Sequence, residues 1–236
     1  MNIVPKPGSK VPKAAQILAF FALILLLTLT NAAAREKVTI TATDKVTVDL
    51  DADVTVFEGN VKISYGDVEL YAEKAEVKER EVAILTGNVK LTQPDIVLTA
   101  EAFTAYINER TVVAEGDVIL TKEELTAEDE LGSPSEGEKE TVTIMCHKME
   151  LSTKARGFKA EGDVRVIRGE SWARADQAAY EESEKVVVLS GNVEAQGKNG
   201  ETIKCGKLLF RTDRDYMEAE EEVVFEFEID DEEETA

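Results

Sequence analysis

The sequence lacks the short motifs that identify many enzymes. It contains no G-x-S-x-G nucleophile motif, no H-E-x-x-H zinc motif and no glycine-rich phosphate loop. Its one histidine, His147, falls at a polar, outward position of an alternating segment, where a solvated side chain is expected. No catalytic residue, cofactor or metal ligand is therefore predicted. The enzymatic alternative is a stacked β-protein that degrades polysaccharides, because so acidic a chain offers paired carboxylates.

Cysteine and positive charge are also scarce. Cys146 and Cys205 are the only cysteines, and two cysteines do not make a disulfide framework. The chain has 27 Lys and Arg against 48 Asp and Glu, which gives a formal net charge of -21. Such a chain is repelled by nucleic acid and by anionic bilayer surfaces, so no nucleic-acid partner is predicted.

Residues 1–34 have the layout of a secretory signal peptide. Three lysines precede an uncharged, mostly apolar run over residues 14–30, and Ala32 and Ala34 supply an A-x-A cleavage site. We therefore predict export across the inner membrane into the periplasm, with cleavage after Ala34. The alternative is an uncleaved membrane anchor, because an apolar run of 17 residues is at the lower limit of what spans a bilayer.

A glycine triplet repeats along the rest of the chain. The pattern Gly-[Asn/Asp]-Val occurs five times, with spacings of 28, 29, 46 and 29 residues. The triplets begin at Gly59, Gly87, Gly116, Gly162 and Gly191. The long spacing is 29 plus 17, and the surplus coincides with an acidic run at 123–140 that contains Gly, Ser and Pro. We predict that this run is a surface loop inserted into one repeat.

A second motif keeps the register of the first. A small residue follows the triplet glycine by 13 residues at Ala72, Ala100 and Ala175. Cys146 takes this position after the insertion, and Cys205 takes it one residue late. Both segments of each unit alternate apolar and polar residues and are rich in Val, Ile and Thr, which favours β-strands. Each unit is therefore predicted to hold two strands.

The side-chain pattern is predicted to change parity at the glycine. Apolar residues occur three and five residues before it and two and four after it, as at Ile84 and Val89. A glycine at such a change is typical of a β-bulge or a sharp strand bend. The second strand changes in the same way between Ala72 and Ala75. Both strands are therefore expected to bend while keeping one face inward.

These patterns predict an all-β fold, an elongated twisted β-jelly roll or two-sheet slab of about five to six 29-residue repeats. The domain covers 35–217, and 218–236 are a closing strand and an acidic tail. A filled core and an open groove both fit the inner residues. The predicted lining consists of Val61, Ile63, Leu70, Ile84, Val89, Leu91, Leu98, Phe103, Val113, Val118, Leu120, Ile144, Met149, Val164 and Val166.

The two cysteines occupy equivalent positions two repeats apart. If each repeat adds one strand to a sheet, their separation is about 9.6 Å. A disulfide requires Cα atoms within about 7 Å. Cys146 and Cys205 are therefore predicted to be free, buried thiols.

The segment Leu85-Thr86-Gly87-Asn88-Val89-Lys90-Leu91, followed by 96–101, resembles the OstA/LptA family of lipopolysaccharide-transport proteins. Gly191-Asn192-Val193 after 186–190 carries the same resemblance. The similarity extends over roughly 39–227. It implies a twisted β-jelly roll whose interior holds the acyl chains of lipopolysaccharide or a similar envelope lipid. It also implies end-to-end pairing of edge strands, with other jelly-roll transport proteins or with further copies of the chain, to bridge the two membranes.

Two features depart from the family pattern, the acidic insertion and the acidic tail. Their carboxylates lack the spacing of a calcium loop, so a solvated surface is expected, and the tail is placed to cover the terminal edge. Two alternatives to a soluble lipid carrier stay open. The chain is a membrane-anchored LptC-like component if the leader is retained. It is a structural envelope scaffold if its interior takes no lipid.

Overall fold

The computed structural model describes residues 39–65, 67–79, 81–125, 139–152, 154–211 and 216–227. The predicted signal peptide lies outside these ranges, as do 126–138 of the predicted insertion and 228–236 of the predicted tail. The described part of the chain consists of strands and turns, without a helix. It accordingly holds no helix that is long and apolar enough to span a membrane.

Fourteen antiparallel strands, counted over the described residues, form one sheet. Each long strand pairs with the next, in the order β1-β3-β4-β5-β6-β7-β8-β9-β10-β11-β12-β13, while β2 also pairs with β3 and β14 with β12. The strands are β1 Thr39–Thr41, β2 Lys45–Asp49, β3 Val54–Tyr65, β4 Val68–Lys78, β5 Val82–Gln93, β6 Ile96–Tyr106, β7 Thr111–Leu125, β8 Lys139–Ser152, β9 Gly157–Arg168, β10 Ser171–Glu181, β11 Val186–Gln196, β12 Thr202–Arg211, β13 Met217–Glu220 and β14 Val224–Glu226. The predicted all-β fold is confirmed.

Each triplet glycine lies at a β-bulge, as predicted. The five glycines have φ between 76° and 83°, and the Asn or Asp that follows each has φ between 41° and 49°. Two successive left-handed residues require glycine first and a short polar residue second, because other side chains are strained there. In β5 the side chain of Asn88 links the bulge to the neighbouring strand β4, because its Nδ2 donates to Glu73 Oε1 at 3.0 Å. The triplet is therefore a local device for bending a strand.

The bulges divide the sheet into two walls. The first wall consists of 54–58, 74–78, 82–86, 102–106, 111–115, 148–152, 157–161, 177–181, 186–190 and 207–211. The second wall consists of 61–65, 68–72, 89–93, 96–100, 118–122, 142–146, 164–168, 171–175, 193–196 and 202–205. Residues of both walls belong to one apolar cluster. Because neither face of a single flat sheet is shielded from water, the walls must fold toward each other and cover a shared interior.

The predicted parity before the glycine is wrong. The interior positions there are two and four residues before it, such as Leu85 and Ala83, whereas Ile84 lies on the outer face. The bulge places three residues of the glycine strand (86–88) opposite two of its partner (101–102). Because of this extra residue, the inward positions of the glycine strand keep the same parity on both sides of the bulge. Only the inward positions of the partner strand change parity. That second change, between Ala72 and Ala75, is confirmed because both are buried.

The cysteines are free and buried, as predicted, but for a different geometric reason. Each unit adds two strands to the sheet, so Cys146 on β8 and Cys205 on β12 are four strands apart. That spacing corresponds to about 19 Å, not the shorter distance expected from one strand per repeat. Burial raises the pKa of the Cys146 thiol to about 11. Both cysteines pack as small apolar residues.

The hairpin around the predicted insertion has long arms. Pairing between β7 and β8 continues to Leu125 and Lys139. Residues 123–125 and 139–140 of the predicted insertion therefore belong to strands. The predicted closing region contains two short strands, β13 along the first wall and β14 along the second wall.

Candidate functional site

The interior is built from apolar rows that run across the strands. Directly paired residues of antiparallel strands share a face, so the register defines each row. In the second wall, the row beside the bulges is Val61, Ala72, Val89, Ala100, Val118, Cys146, Val164, Ala175, Val193 and Cys205. The next row outward is Ile63, Leu70, Leu91, Leu98, Leu120, Ile144, Val166, Ala173, Ala195 and Ile203. The second wall is thus continuously apolar from β3 to β12.

The first wall mirrors this arrangement with larger side chains. Its row beside the bulges is Phe57, Ala75, Leu85, Phe103, Ala114, Met149, Ala160, Ala178, Leu189 and Leu208. Ala75 and Ala114 each lie between two large residues of this row, which lets the facing wall approach closely there. Phe158 and Tyr180 lie in the next row, with ring centroids 6.3 Å apart.

Thirteen of the fifteen predicted lining residues belong to the interior cluster, that is, all except Ile84 and Val113. Those two lie on the outer face of the first wall, both paired with Thr104 of β6. Their adjacent residues Leu85 and Val112 face inward instead. β-branched residues suit both faces of a strand, so the alternation in the glycine strand was misleading.

The predicted lining omits most of the first wall. The interior residues that are absent from it include Leu85, Val112, Ala114, Leu151, Phe158, Ala160, Leu189 and Leu208. A usable signal exists in the second strand of each unit, where the parity change is correct. A residue of the glycine strand that pairs directly with an inward residue of the second strand also faces inward, and this rule identifies these positions.

The interior is shielded from water at positions from β5 to β12. Leu91, Leu98, Val118, Met149 and Leu208 are each at most 1% exposed. Water does not reach these side chains, so a ligand must separate the walls to enter beside them. Val166 of β9 and Phe210 of β12 also belong to the interior but are only partly buried. The interior is therefore closed at most positions and more accessible at these two.

The apolar rows continue to both ends of the slab, where short strands leave them exposed. At the first end Ile40 pairs with Ile63, and Val46 pairs with Phe57. At the other end Phe225 pairs with Ile203 and Met217 with Phe210. Ile40, Val46, Met217 and Phe225 are 36–53% exposed. Both ends thus present apolar side chains beside strand edges that no other described strand pairs, and such edges can accept a further strand.

The outer face of the second wall carries much of the positive charge. A row across the strands includes Lys62, Lys90, Arg165, Arg174 and Lys204. Lys62 Nζ lies 2.6 Å from Glu69 Oε1, and this ion pair lowers the pKa of the Glu69 carboxyl and raises that of Lys62. Such exposed pairs add solubility and little stability.

The polar residues do not form a metal-binding cluster within the described ranges. No three His, Cys, Asp or Glu residues there are arranged to hold a metal ion. His147 is exposed, as predicted, with Nε2 3.7 Å from Asp163 Oδ2 at a bulge. Asp163 and His147 occupy the same positions at their bulge as Asn88 and Glu73 occupy at theirs, which indicates a structural role for the contact.

Comparison with known proteins identifies relatives of this architecture. A family model described as "LptA/(LptD N-terminal domain) LPS transport protein" matches residues 39–83 and 78–216. No curated protein matches the sequence. A similar solved structure is LptH from Pseudomonas aeruginosa, described as the LptA-homologous periplasmic component of the lipopolysaccharide transport device. It aligns with 82% of this chain and 96% of its own length, at 12% identity and a TM-score of 0.27.

Proposed function

Because the chain belongs to the family of LptA and the LptD N-terminal domain, we propose that it is a periplasmic component of lipopolysaccharide transport. In this role it shields the acyl chains of the lipid between its two walls and helps to bridge the inner and outer membranes. The observation that carries the proposal is the apolar interior, which runs without interruption from β3 to β12 and stays exposed at both ends.

The energetics of such an interior suit a carrier. Burial of acyl chains contributes about 0.8 kcal/mol per CH₂, so ten methylenes contribute roughly 8 kcal/mol. Separating the walls exposes Leu91, Leu98 and their neighbours, but an acyl chain between the walls covers them again. The gain is non-directional because it depends on the apolar area that is buried, and each row presents similar side chains on successive strands. A lipid can therefore move along the slab between sites of similar affinity.

The two ends supply the partners' binding surfaces. Each wall terminates in a short strand, β2 and β1 at one end and β13 and β14 at the other. Their outer edges, which no other described strand pairs, and their exposed apolar residues fit strand addition by another jelly-roll transport protein or by a second copy of the chain. Such a junction continues the apolar rows from one molecule into the next.

A structural scaffold is the second candidate, and close packing at the centre favours it. Leu91, Met149 and Leu208 have no exposed surface. A slab that keeps this packing joins membranes or partners without carrying lipid.

Photo-crosslinking at adjacent residues of β9 separates the two functions. Val166 belongs to the interior cluster and is partly buried, whereas Ile167 faces outward and is 40% exposed. We expect a photoreactive residue at 166 to crosslink to lipopolysaccharide and the same residue at 167 to give none. Probes at Leu98 and Val118 should behave like 166, with Lys90 as a second outward control. Equal labelling at 166 and 167, or none in a folded protein, favours the scaffold.

A further inference from the structure

The second wall has a third interior row, which is partly polar. It lies two residues outward from Leu91, Leu98, Leu120, Ile144 and Val166. We call it the rim row, and it consists of Gln93, Ile96, Lys122, Val142 and Arg168. Each of these residues is paired directly with the next, so all share the inner face. Polar and apolar side chains alternate along this row, unlike the two apolar rows beneath it.

Lys122 is the buried cation of this row. Only 6% of its surface is exposed, and it is the buried charged residue among those that the structure describes. It pairs with Ile96 on one side and Val142 on the other. An ammonium group between apolar residues is costly unless an anion or a hydrogen-bond acceptor compensates it. Lys122 and Arg168 both also interact with other groups of the chain.

The amide of Gln93 is a second, independent indication of a polar ligand. Its Nε2 is buried and has no hydrogen-bond partner. Buried donors in folded proteins are nearly always paired, so an unpaired one calls for an explanation. Gln93 pairs directly with Ile96, the neighbour of Lys122. The unpaired donor and the buried cation therefore flank the same residue.

The spacing of the rim row suits a large anionic headgroup. Gln93 and Lys122 are two strands apart, as are Lys122 and Arg168. At about 4.8 Å per strand, the three polar groups extend over roughly 19 Å. The two cations of the rim row therefore lie on β7 and β9.

We propose that Lys122 and Arg168, with the amide of Gln93, bind the phosphate-bearing headgroup of a lipid whose acyl chains lie between the walls. This inference rests on the proposed function and adds to it the site that selects the headgroup. The chemistry is charge complementarity, since a phosphate accepts strong hydrogen bonds from ammonium and guanidinium groups. The rim position holds the headgroup at the margin of the interior while the acyl chains reach the two apolar rows beneath.

The experiment compares two lipids and matched variants. Lys122→Met and Arg168→Met keep the apolar stem and remove the charge, and Lys90→Met does the same on the outer face of the same wall. Binding of lipid A with both phosphates is measured against lipid A from which the phosphates have been removed. We expect the double variant to bind the phosphorylated lipid about tenfold or more weakly, the usual effect of losing a charge-assisted bond. Binding of the dephosphorylated lipid should be unchanged, and Lys90→Met should leave both affinities as they are.

The controls separate failure of the site from failure of the function. If the unaltered protein binds both lipids and the variants change neither affinity, or change both equally, the headgroup site is wrong and lipid carriage stands. If the unaltered protein binds neither lipid, the proposed function and the site fall together. Competition by inorganic phosphate alone, at concentrations that match the lipid, would overturn a lipid-specific site. Arg168 is exposed, so Arg168→Met by itself provides the test if Lys122→Met does not fold.

Discussion

The middle of the slab and its two ends use the same apolar residue types for opposite purposes. In the middle, Leu98 and Met149 are at most 1% exposed, whereas Val48 and Phe227 at the ends are 57% and 62% exposed. A central strand has neighbours on both sides and a facing wall, but among the described strands an end strand has a neighbour on one side only. Position in the sheet therefore decides whether a residue stabilises the fold or offers a surface to a partner.

The largest expected effect is on the middle. Leu98→Ala removes a fully buried side chain between two walls, so we expect the free energy of unfolding to fall by about 2–5 kcal/mol. Phe227→Ala at the exposed end should change it by less than about 1 kcal/mol. Urea denaturation followed by circular dichroism measures both. Equal losses would mean that the end is packed as tightly as the centre.

A bulge substitution should have the next largest effect. Gly87 has a φ of 83°, and a methyl group there meets the side chain of Glu73. Gly87→Ala is therefore expected to cost about 1–3 kcal/mol. Gly200 in the β11–β12 turn has a φ of 89° but open space around it. Gly200→Ala therefore isolates the backbone strain. If it lowers the free energy of unfolding as much as Gly87→Ala does, the contact with Glu73 makes no contribution.

The reactivity of the two thiols compares Cys146 on a central strand with Cys205 on a strand nearer the end of the sheet. Burial raises the pKa of Cys146 to about 11 and raises that of Cys205 as well. Only the thiolate reacts, so at pH 8 both should be labelled slowly by a disulfide reagent, and faster as the pH rises toward those pKa values. Cys205, four strands closer to the C-terminal end, should react first. Single-cysteine variants in the native state and in urea give the rates, and faster labelling of Cys146 would contradict the comparison.

The smallest effect on stability is expected at the ends themselves. Val48→Lys and Phe225→Lys alter exposed residues, so the free energy of unfolding should stay within about 0.5 kcal/mol of the original. Each should nevertheless weaken end-to-end association, because a charge is placed in the apolar junction. Sedimentation velocity measures the association, with Ile167→Lys on the outer face as the matched control. Unchanged association with both end variants would exclude these surfaces as junctions.

The strand content and the bends were predictable because they depend on local chemistry. Alternation, β-branched residues and a glycine followed by Asn or Asp are read from neighbours in sequence, and they placed the bulge at Gly87 and its four equivalents correctly. Which side chains of the glycine strand face inward before the bulge was not predictable in the same way. Ile84 and Leu85 are both apolar, and only the extra bulge residue decides which of them faces inward.

The number of strands per repeat shows the same limit. The equivalence of Cys146 and Cys205 was evident from the period, but the distance between them depends on how many strands each repeat contributes. The expectation of free thiols was correct because any distance above the disulfide limit gives that result. The premise that the two cysteines are two strands apart was wrong, because they are four strands apart.

By itself the sequence determined the all-β class, the stacked period, the positions of the bends and most of the second wall, since each of these follows from residues within one repeat. Only the tertiary structure decided which residues of the glycine strands face inward before the bulge, how closely the walls meet and which apolar residues stay exposed at the ends. It also brought Gln93, Lys122 and Arg168 into one row, although they are far apart in the chain. These properties arise from pairing between strands and contact between walls, and neither is encoded in any single repeat.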